Sequence, residues 1–545
     1  MTEEAAPGAG SPPSPGAVGR WLAGRWRRRG GADELGLCRE YEEATEEELR
    51  LRQSRRELAD GVDPHDLEQT GWGVVFPQDG DPAVHRRLQP LLDRRREQAG
   101  ARYKELTYHR DESARRFLWY RHGESAGVLD PEVVPYYLLL AGSPEEIPFE
   151  FQYQLGINHA VGRLDLRPRE ACADYEAYAR SVLAAEDRGV ELPRRAAVVS
   201  VQNGGDPAMA SLARHLVAPV AEALDGHAGW EVDVRGPERS YKRDLARLLA
   251  DERPGLLLAS CHGLQMPFGD ARQEDWQGAL LCEDWQGGGD GGPITPDRFF
   301  HGEDIGGDAD PHGLVAFLFA CYGAGTPDLD NFPGRTVGDN GGPPADEDLA
   351  LARRPFTAHL PQALLGRGAL GVVGHVDRGW TLSFQWPIGD RSQLASRSLI
   401  DVLKRLLKGD RLGHSLRPLV RRYTALAAQL AEPMERVVQG EEVDEELLGM
   451  QWVAHNDARN FVLLGDPAVY LLGRRCWKGS EGDPHRTEAS PASPAARLEP
   501  DLLRRVERRA REEGRTVEEW LEEAVRARLG DSGGGGKGGG SGHRH

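Results

Sequence analysis

A series of short, wholly apolar runs, each bounded by turn residues, restricts this chain more than any other feature. Ala196-Ala-Val-Val-Ser-Val201, Leu256-Leu-Leu-Ala-Ser260, Leu314-Val-Ala-Phe-Leu-Phe-Ala320 and Ala369-Leu-Gly-Val-Val373 are too short for core helices and lack the polar alternation of a half-exposed strand. They read as strands buried on both faces. Trp230 to Arg235 alternates as a strand does, while Met209–Leu224, Tyr241–Ala250 and Phe356–Leu365 have helical spacing. Buried strands separated by helices predict an α/β fold, a mostly parallel sheet with helices on both faces. Ligand sites in such sheets lie beyond the carboxyl ends of the strands.

A smaller α/β subdomain is expected ahead of this unit. It begins with the strand-like Thr70-Gly-Trp-Gly-Val-Val-Phe-Pro77, followed by a charged helix from Ala83 to Gln98, a strand from Tyr103 to Tyr108 and the apolar run Tyr136-Tyr-Leu-Leu-Leu-Ala141. We therefore divide the chain into a disordered tail with an acidic helix (1–69), the N-terminal α/β subdomain (70–185), the larger subdomain (190–475), a Pro/Ser/Gly linker (477–495), a helical hairpin (496–530) and a Gly-rich tail (531–545). In the hairpin, Leu502, Val506 and Ala510 share one helical face, Gly514 breaks the helix, and Thr516 with Glu519 makes a capping box for the second helix.

Charge and cysteine usage exclude several classes. A net charge of −19 argues against a nucleic-acid binder, which needs a basic face. No stretch approaches the roughly 20 apolar residues of a membrane helix, and no signal peptide is visible, so no membrane partner and a cytoplasmic location are expected. The six cysteines (38, 172, 261, 282, 321 and 476) are scattered, which fits a reducing compartment and suggests neither a disulfide framework nor a zinc ribbon. Cys261, His262, Cys282, His301 and Cys321 match no usual zinc spacing. The metal content is left unassigned.

Two buried strands end in reactive residues. Leu256-Leu-Leu-Ala-Ser260 runs into Cys261-His262-Gly263, and Leu314–Ala320 runs into Cys321-Tyr-Gly323. If the strands are neighbours, His262 and Cys321 reach one crevice. A thiol is only slightly ionised at neutral pH and gains from a nearby imidazole. The glycine after His262 permits close backbone approach and leaves an unhindered N–H. The N–H groups of Gly263 and Cys321 then form a candidate oxyanion hole. Cys261, next to His262, points to the opposite face of an extended segment.

A strand ending in His-Gly followed by a strand ending in Ala-Cys-x-Gly resembles the caspase-fold cysteine peptidases. The separation here is 321 − 262 = 59 residues, near the roughly 50 of caspases. Phe319 and Tyr322 depart from the caspase motif, and the gingipain-like branch is the more similar one. Tyr136–Pro148, Ala160-Val-Gly-Arg-Leu164, Gly371-Val-Val-Gly-His-Val-Asp-Arg378 and Phe461-Val-Leu-Leu-Gly-Asp-Pro467 are similar to pieces of that family's catalytic domain. The resemblance spans roughly 70–475. It implies a caspase-like subdomain carrying a His262–Cys321 dyad, a cysteine endopeptidase activity on protein or peptide substrates, no required cofactor, and room for a structural calcium in the acidic loops.

Residues 301–350 hold ten Asp/Glu against one Arg. Together with family members that cut after Arg or Lys, this suggests a basic P1 residue met by a carboxylate such as Asp328; His375 and Asp377 follow a buried strand, so they too should reach the crevice and are candidate substrate-positioning residues. Asp377 is equally readable as a turn residue. Arg335, Arg353 and Arg354, in and beside the Gly/Pro/Asp-rich segment after the cysteine, are candidate self-cleavage points. The C-terminal hairpin is similar to the helices of ribbon-helix-helix modules. Its nine Arg balance nine acids, so homodimerisation is the expected role and DNA binding is not. The alternatives are a catalytically silent caspase-like scaffold that dimerises through this hairpin, and an acyl-transfer enzyme using the same dyad.

Overall fold

The computed structural model describes residues 58, 61–124, 129–167, 172–287, 292–332, 349–380, 384–388, 391–394 and 396–472. The acidic helix near the N-terminus, the linker, the hairpin 496–530, the Gly-rich tail and Arg335 lie outside the described residues. The chain divides into two compact units, Met1–Trp477 and Lys478–His545, and the following concerns the first.

One sheet of 10 strands organises it: β1 (Trp72–Pro77), β2 (Tyr103–Tyr108), β3 (Tyr137–Ala141), β4 (Ala160–Leu164), β5 (Arg195–Ser200), β6 (Glu231–Arg235), β7 (Leu256–Ser260), β8 (Val315–Phe319), β9 (Gly371–His375) and β10 (Phe461–Leu464). Their spatial order is β2-β1-β3-β4-β10-β9-β8-β7-β5-β6. Every neighbouring pair is parallel except β9 with β10, where Val372 opposes Leu464 and His375 opposes Phe461. Two parallel blocks therefore meet at one antiparallel seam, with their carboxyl ends on opposite rims. The boundary expected between 185 and 190 falls just before β5, within this continuous sheet.

Both faces are covered, as the apolar runs require. In β3, Tyr137, Leu139 and Ala141 enter the large core, while Leu138 and Leu140 enter a second core with Phe117, Phe151 and Val161. Helix α1 (Pro82–Ala99) starts at Asp81, whose side chain accepts from Ala83 N at 2.7 Å, with Pro82 in the first turn. It buries Leu88, Leu91, Leu92, Arg95 and Ala99 along one stripe. Helix α2 (Ala173–Arg188) packs against it. The expected helix 356–365 is observed as α3 (His359–Gly366), because Phe356–Thr357 pair instead with Gly325–Thr326. Three longer helices, α4 (Arg397–Lys408), α5 (Arg417–Val438) and α6 (Glu445–Arg459), and a single turn at Leu412–Ser415 lie between β9 and β10 in the chain.

The buried Gly465-Asp466 corner after β10 is more than a turn. Gly465 has φ +111°, and the wholly buried Asp466 accepts from Arg95 Nε at 2.8 Å, from Trp72 Nε1 at 3.0 Å and from Ala468 N at 2.9 Å. Arg95 also donates to Glu186 at 2.6 Å. This network fixes α1, α2 and the end of β10 to one another.

Candidate active site

Within the second block, the chain passes from β5 outward to β6, then returns to β7 on the other side of β5 and continues to β8 and β9. The connections after β5 and β7 thus run in opposite directions, and a crevice opens between their carboxyl ends. Asp206 follows β5, His262 follows β7, Cys321 follows β8 and Asp377 follows β9. The strand ends alone gather these four residues.

Asp206 divides its carboxylate between two tasks. Oδ1 accepts from Ala208 N (2.7 Å) and Met209 N (3.3 Å), capping the helical run 207–224, and Oδ2 lies 3.3 Å from His262 Nε2. The imidazole hydrogen bond, aided by the helix N–H groups and opposed by burial, holds the Asp206 carboxyl down to about 2. Sequence reasoning missed this residue. Its signal was Asn203-Gly-Gly-Asp206-Pro207, a glycine-permitted turn and helix cap directly after a buried strand.

His262 is partly exposed, with Trp285 edge-on to its ring at a centroid distance of 6.2 Å. Its carbonyl accepts from Leu281 N at 2.9 Å. Gly263 presses on the backbone of Cys321: a Cβ built there would lie 1.8 Å from Cys321 O, 2.7 Å from its C and 2.8 Å from its N. No residue larger than glycine fits, and this contact brings the His262 turn onto Cys321.

The Cys321 thiol accepts from Gly379 N at 3.4 Å and faces Gly379 O at 3.7 Å. Burial pushes the thiol up. The N–H groups of Gly379 and Gly263 and the charge of Arg378 pull it down, while Asp377 pushes it up. Among the described residues no hydrogen bond joins His262 to Cys321. Cys261 lies in the core, and burial pushes its thiol far up. No three His, Cys, Asp or Glu side chains converge as metal ligands among the described residues.

The remaining candidates are placed less simply. His375 is still within β9, opposite Phe461, so its ring points into the core rather than at the rim. It is fully buried, edge-on to Phe319 and 3.5 Å from Asp457. Its expected substrate contact is not what the structure offers. Asp377 is also fully buried. It sits at φ +76°, accepts from Arg378 N (2.7 Å) and Asn331 Nδ2 (3.2 Å), and its carbonyl accepts from Tyr322 N (2.7 Å). The carboxylate is spent on the loop itself, so Asp377 shapes the Cys321 turn from behind and presents nothing to a ligand. Asp328 is exposed. Arg354 is paired with Glu145 and Glu274, and Arg353 lies beside Gly269. Both lie beside a ribbon in which Leu351 N donates to Asp328 O and Asp330 N to Leu349 O. Two cavities, of about 60 and 240 Å³, lie elsewhere. The larger is lined by Arg167, Asp174, Glu303, His359 and Arg367, and neither includes a dyad residue.

Asp377 makes a pH prediction. Burial, then the nearby Asp330, push its carboxyl up to about 7 against the pull of Arg378. The folded protein keeps this proton up to about pH 7, whereas the unfolded chain releases it near the ordinary 3.8. Folding therefore takes up a proton in that window, and stability falls as pH rises through it. Thermal unfolding at about pH 5 and about pH 8 should show a smaller loss in Asp377→Asn than in wild type. Equal losses would show that Asp377 does not titrate there.

No family model matches the chain, and no curated protein matches it. Similar solved structures include the complex of RgpB pro- and mature domains from Porphyromonas gingivalis, at 10% identity and TM-score 0.39, covering 74% of this chain and 79% of that one. Gingipain R, an Arg-specific cysteine proteinase, aligns at 11% identity and TM-score 0.39 with the same coverage. The separase–securin complex of Saccharomyces cerevisiae aligns at 10% identity and TM-score 0.27, over 61% of this chain and 16% of the other. The chemistry assigned below rests on the arrangement around Cys321.

Proposed function

We propose that this chain is a cysteine endopeptidase with Cys321 as nucleophile and His262 as acid–base group. The observation that carries the reading is the seating of Gly263 on the Cys321 backbone, which brings the turn that bears the imidazole against the turn that bears the thiol, beside the crevice at the strand ends. Cys321 Sγ attacks the scissile carbonyl carbon, and the N–H groups of Gly263 and Cys321 hold the oxyanion. The thiol proton passes to His262 and then to the leaving amine. Water hydrolyses the thioester and restores the thiol. Asp206 holds the imidazole by Nε2, as second partners of catalytic histidines do. No cofactor enters these steps, and the scattered cysteines favour the cytoplasm as the place of action. Asp328, exposed on the ribbon after Cys321, is the acid we assign to a basic P1 side chain.

One observation favours a second reading, a silent scaffold: the thiol is pushed up by burial and bonded to Gly379 rather than to His262. A fluorogenic peptide panel decides, using wild type, Cys321→Ala and His262→Ala, with and without calcium. Hydrolysis lost by about a thousandfold or more in both variants is expected, with cleavage after Arg or Lys reduced in Asp328→Asn. Undiminished hydrolysis in Cys321→Ala would remove the peptidase reading. No hydrolysis in any sample, with no labelling of Cys321 by a thiol-reactive peptide, would leave the scaffold.

A further inference from the structure

The turn that carries Asp206 is knitted to a second loop, 282–287, on the far side of His262. Asn203 is the centre of the join. It is 1% exposed and sits at φ +45°. Its Nδ2 donates to Cys282 O at 2.9 Å and to Trp285 O at 2.7 Å. In return, Glu283 Oε2 accepts from Gln202 N at 2.9 Å and Asn203 N at 3.3 Å. Gly204 is at φ +68°, where a Cβ would lie 2.1 Å from Gln286 O, and a Cβ on Gly287 would lie 2.8 Å from Asn203 O. The two loops touch backbone to backbone, with two buried polar side chains sewing them together.

Each loop supplies one neighbour of the imidazole. Three residues beyond Asn203 stands Asp206, bonded to His262 Nε2; two beyond Glu283 stands Trp285, edge-on to the same ring. The second loop also continues from Leu281, which donates to the His262 carbonyl. A ring held at Nε2 and along its side presents Nδ1 in a fixed direction. An acid–base group needs that, since small misplacements cost rate steeply.

Resting on the peptidase reading, we infer that Asn203 and Glu283 are positioning residues: the clasp they form sets the orientation of His262 through Asp206 and Trp285, without either residue touching substrate. A merely structural clasp would change melting temperature and nothing else. A positioning clasp changes the bond between Asp206 and His262, and hence the proton affinity of Asp206.

The test uses the full chain. Asn203→Gly keeps the left-handed backbone open to the residue and removes only the amide. Asn203→Asp keeps the shape but turns a carboxylate toward two carbonyls and Glu283. Glu283→Gln keeps shape and one acceptor while removing the charge. The carboxyl carbon of Asp206, assigned by its loss in Asp206→Asn, is titrated by NMR beside kcat, KM and thermal unfolding. In the Asn203 variants the Asp206 carboxyl should rise from about 2 toward the ordinary 3.8, with a smaller rise in Glu283→Gln. The value of kcat should fall about ten- to a hundredfold with KM within about twofold. A folded Asn203→Gly protein in which Asp206 titrates where it does in wild type overturns the inference, whatever its turnover. If Asn203→Gly does not fold, Glu283→Gln carries the same decision. A wild type with neither hydrolytic activity nor labelling of Cys321 would defeat the peptidase reading alone, because the Asp206 titration needs no substrate.

Discussion

Gly263→Ala should abolish the function of the dyad while leaving both of its side chains in place. The added methyl would stand 1.8 Å from the Cys321 carbonyl oxygen, and the next two contacts, at 2.7 and 2.8 Å, are also to Cys321 backbone. No flexible side chain is available to yield. Relief requires the His262 turn to move away from Cys321 by more than an ångström, and displacements of that size cost about a hundredfold in rate or more. Overpacking of a closed core typically costs about 1–3 kcal/mol, so the protein should remain folded with a lowered melting temperature. The measurements are kcat/KM on the preferred peptide and the rate of Cys321 alkylation. Activity within about threefold of wild type would mean that the two turns are not in contact as described, and the oxyanion assignment would go with it.

The second large effect lies far from the dyad. Asp466→Asn should destabilise the first unit by about 3–5 kcal/mol, because Arg95 is wholly buried and would keep its charge with the wholly buried one of its two carboxylate partners gone and Glu186 left alone. The neighbouring carboxylate holds the guanidinium well above its ordinary range, so Arg95 will not shed the proton instead. Urea unfolding of wild type, Asp466→Asn, Arg95→Met and the double variant tests this. The double variant should lose less than the sum of the singles, since removing both charges leaves neither stranded. Strict additivity, or a single-variant loss below about 1 kcal/mol, would show that the pair is not coupled.

These two sites differ in how far the residue string reveals them. The strands of the second block were legible because apolar runs such as Leu256–Ser260 and Leu314–Ala320 are buried on both faces, and no other element accommodates such runs. His262 and Cys321 were legible for the same reason: each follows such a run and precedes a glycine-permitted turn. Asp206 was not, since an aspartate before a proline at a helix start is fully explained as a cap. Its second oxygen, turned to His262, depends on β5 lying beside β7, which is tertiary information. A position just past a buried strand does not by itself give reach into the crevice: His375 is still paired with Phe461, and Asp377 turns inward at φ +76°. Helices α4 to α6 passed unremarked between β9 and β10, and with them went the reversal that makes β10 antiparallel to β9. Pairing direction leaves no mark on a four-residue run such as Phe461–Leu464.

That reversal has a consequence for how the molecule is made. β10 is the last of these strands in the chain, and it pairs with β4 on one side and with β9 on the other. Until residues 461–464 have left the ribosome, β4 and β9 each present an unsatisfied edge flanked by apolar side chains. A nascent chain shorter than this carries two separate half-sheets, each a template for pairing with a stranger. His262 and Cys321 precede this segment in the chain, but Asp457, which accepts from the Trp380 N–H at 2.9 Å just beyond Gly379, arrives only with it. The support of the reactive turn therefore draws on a segment that the chain supplies only near the end of the sheet.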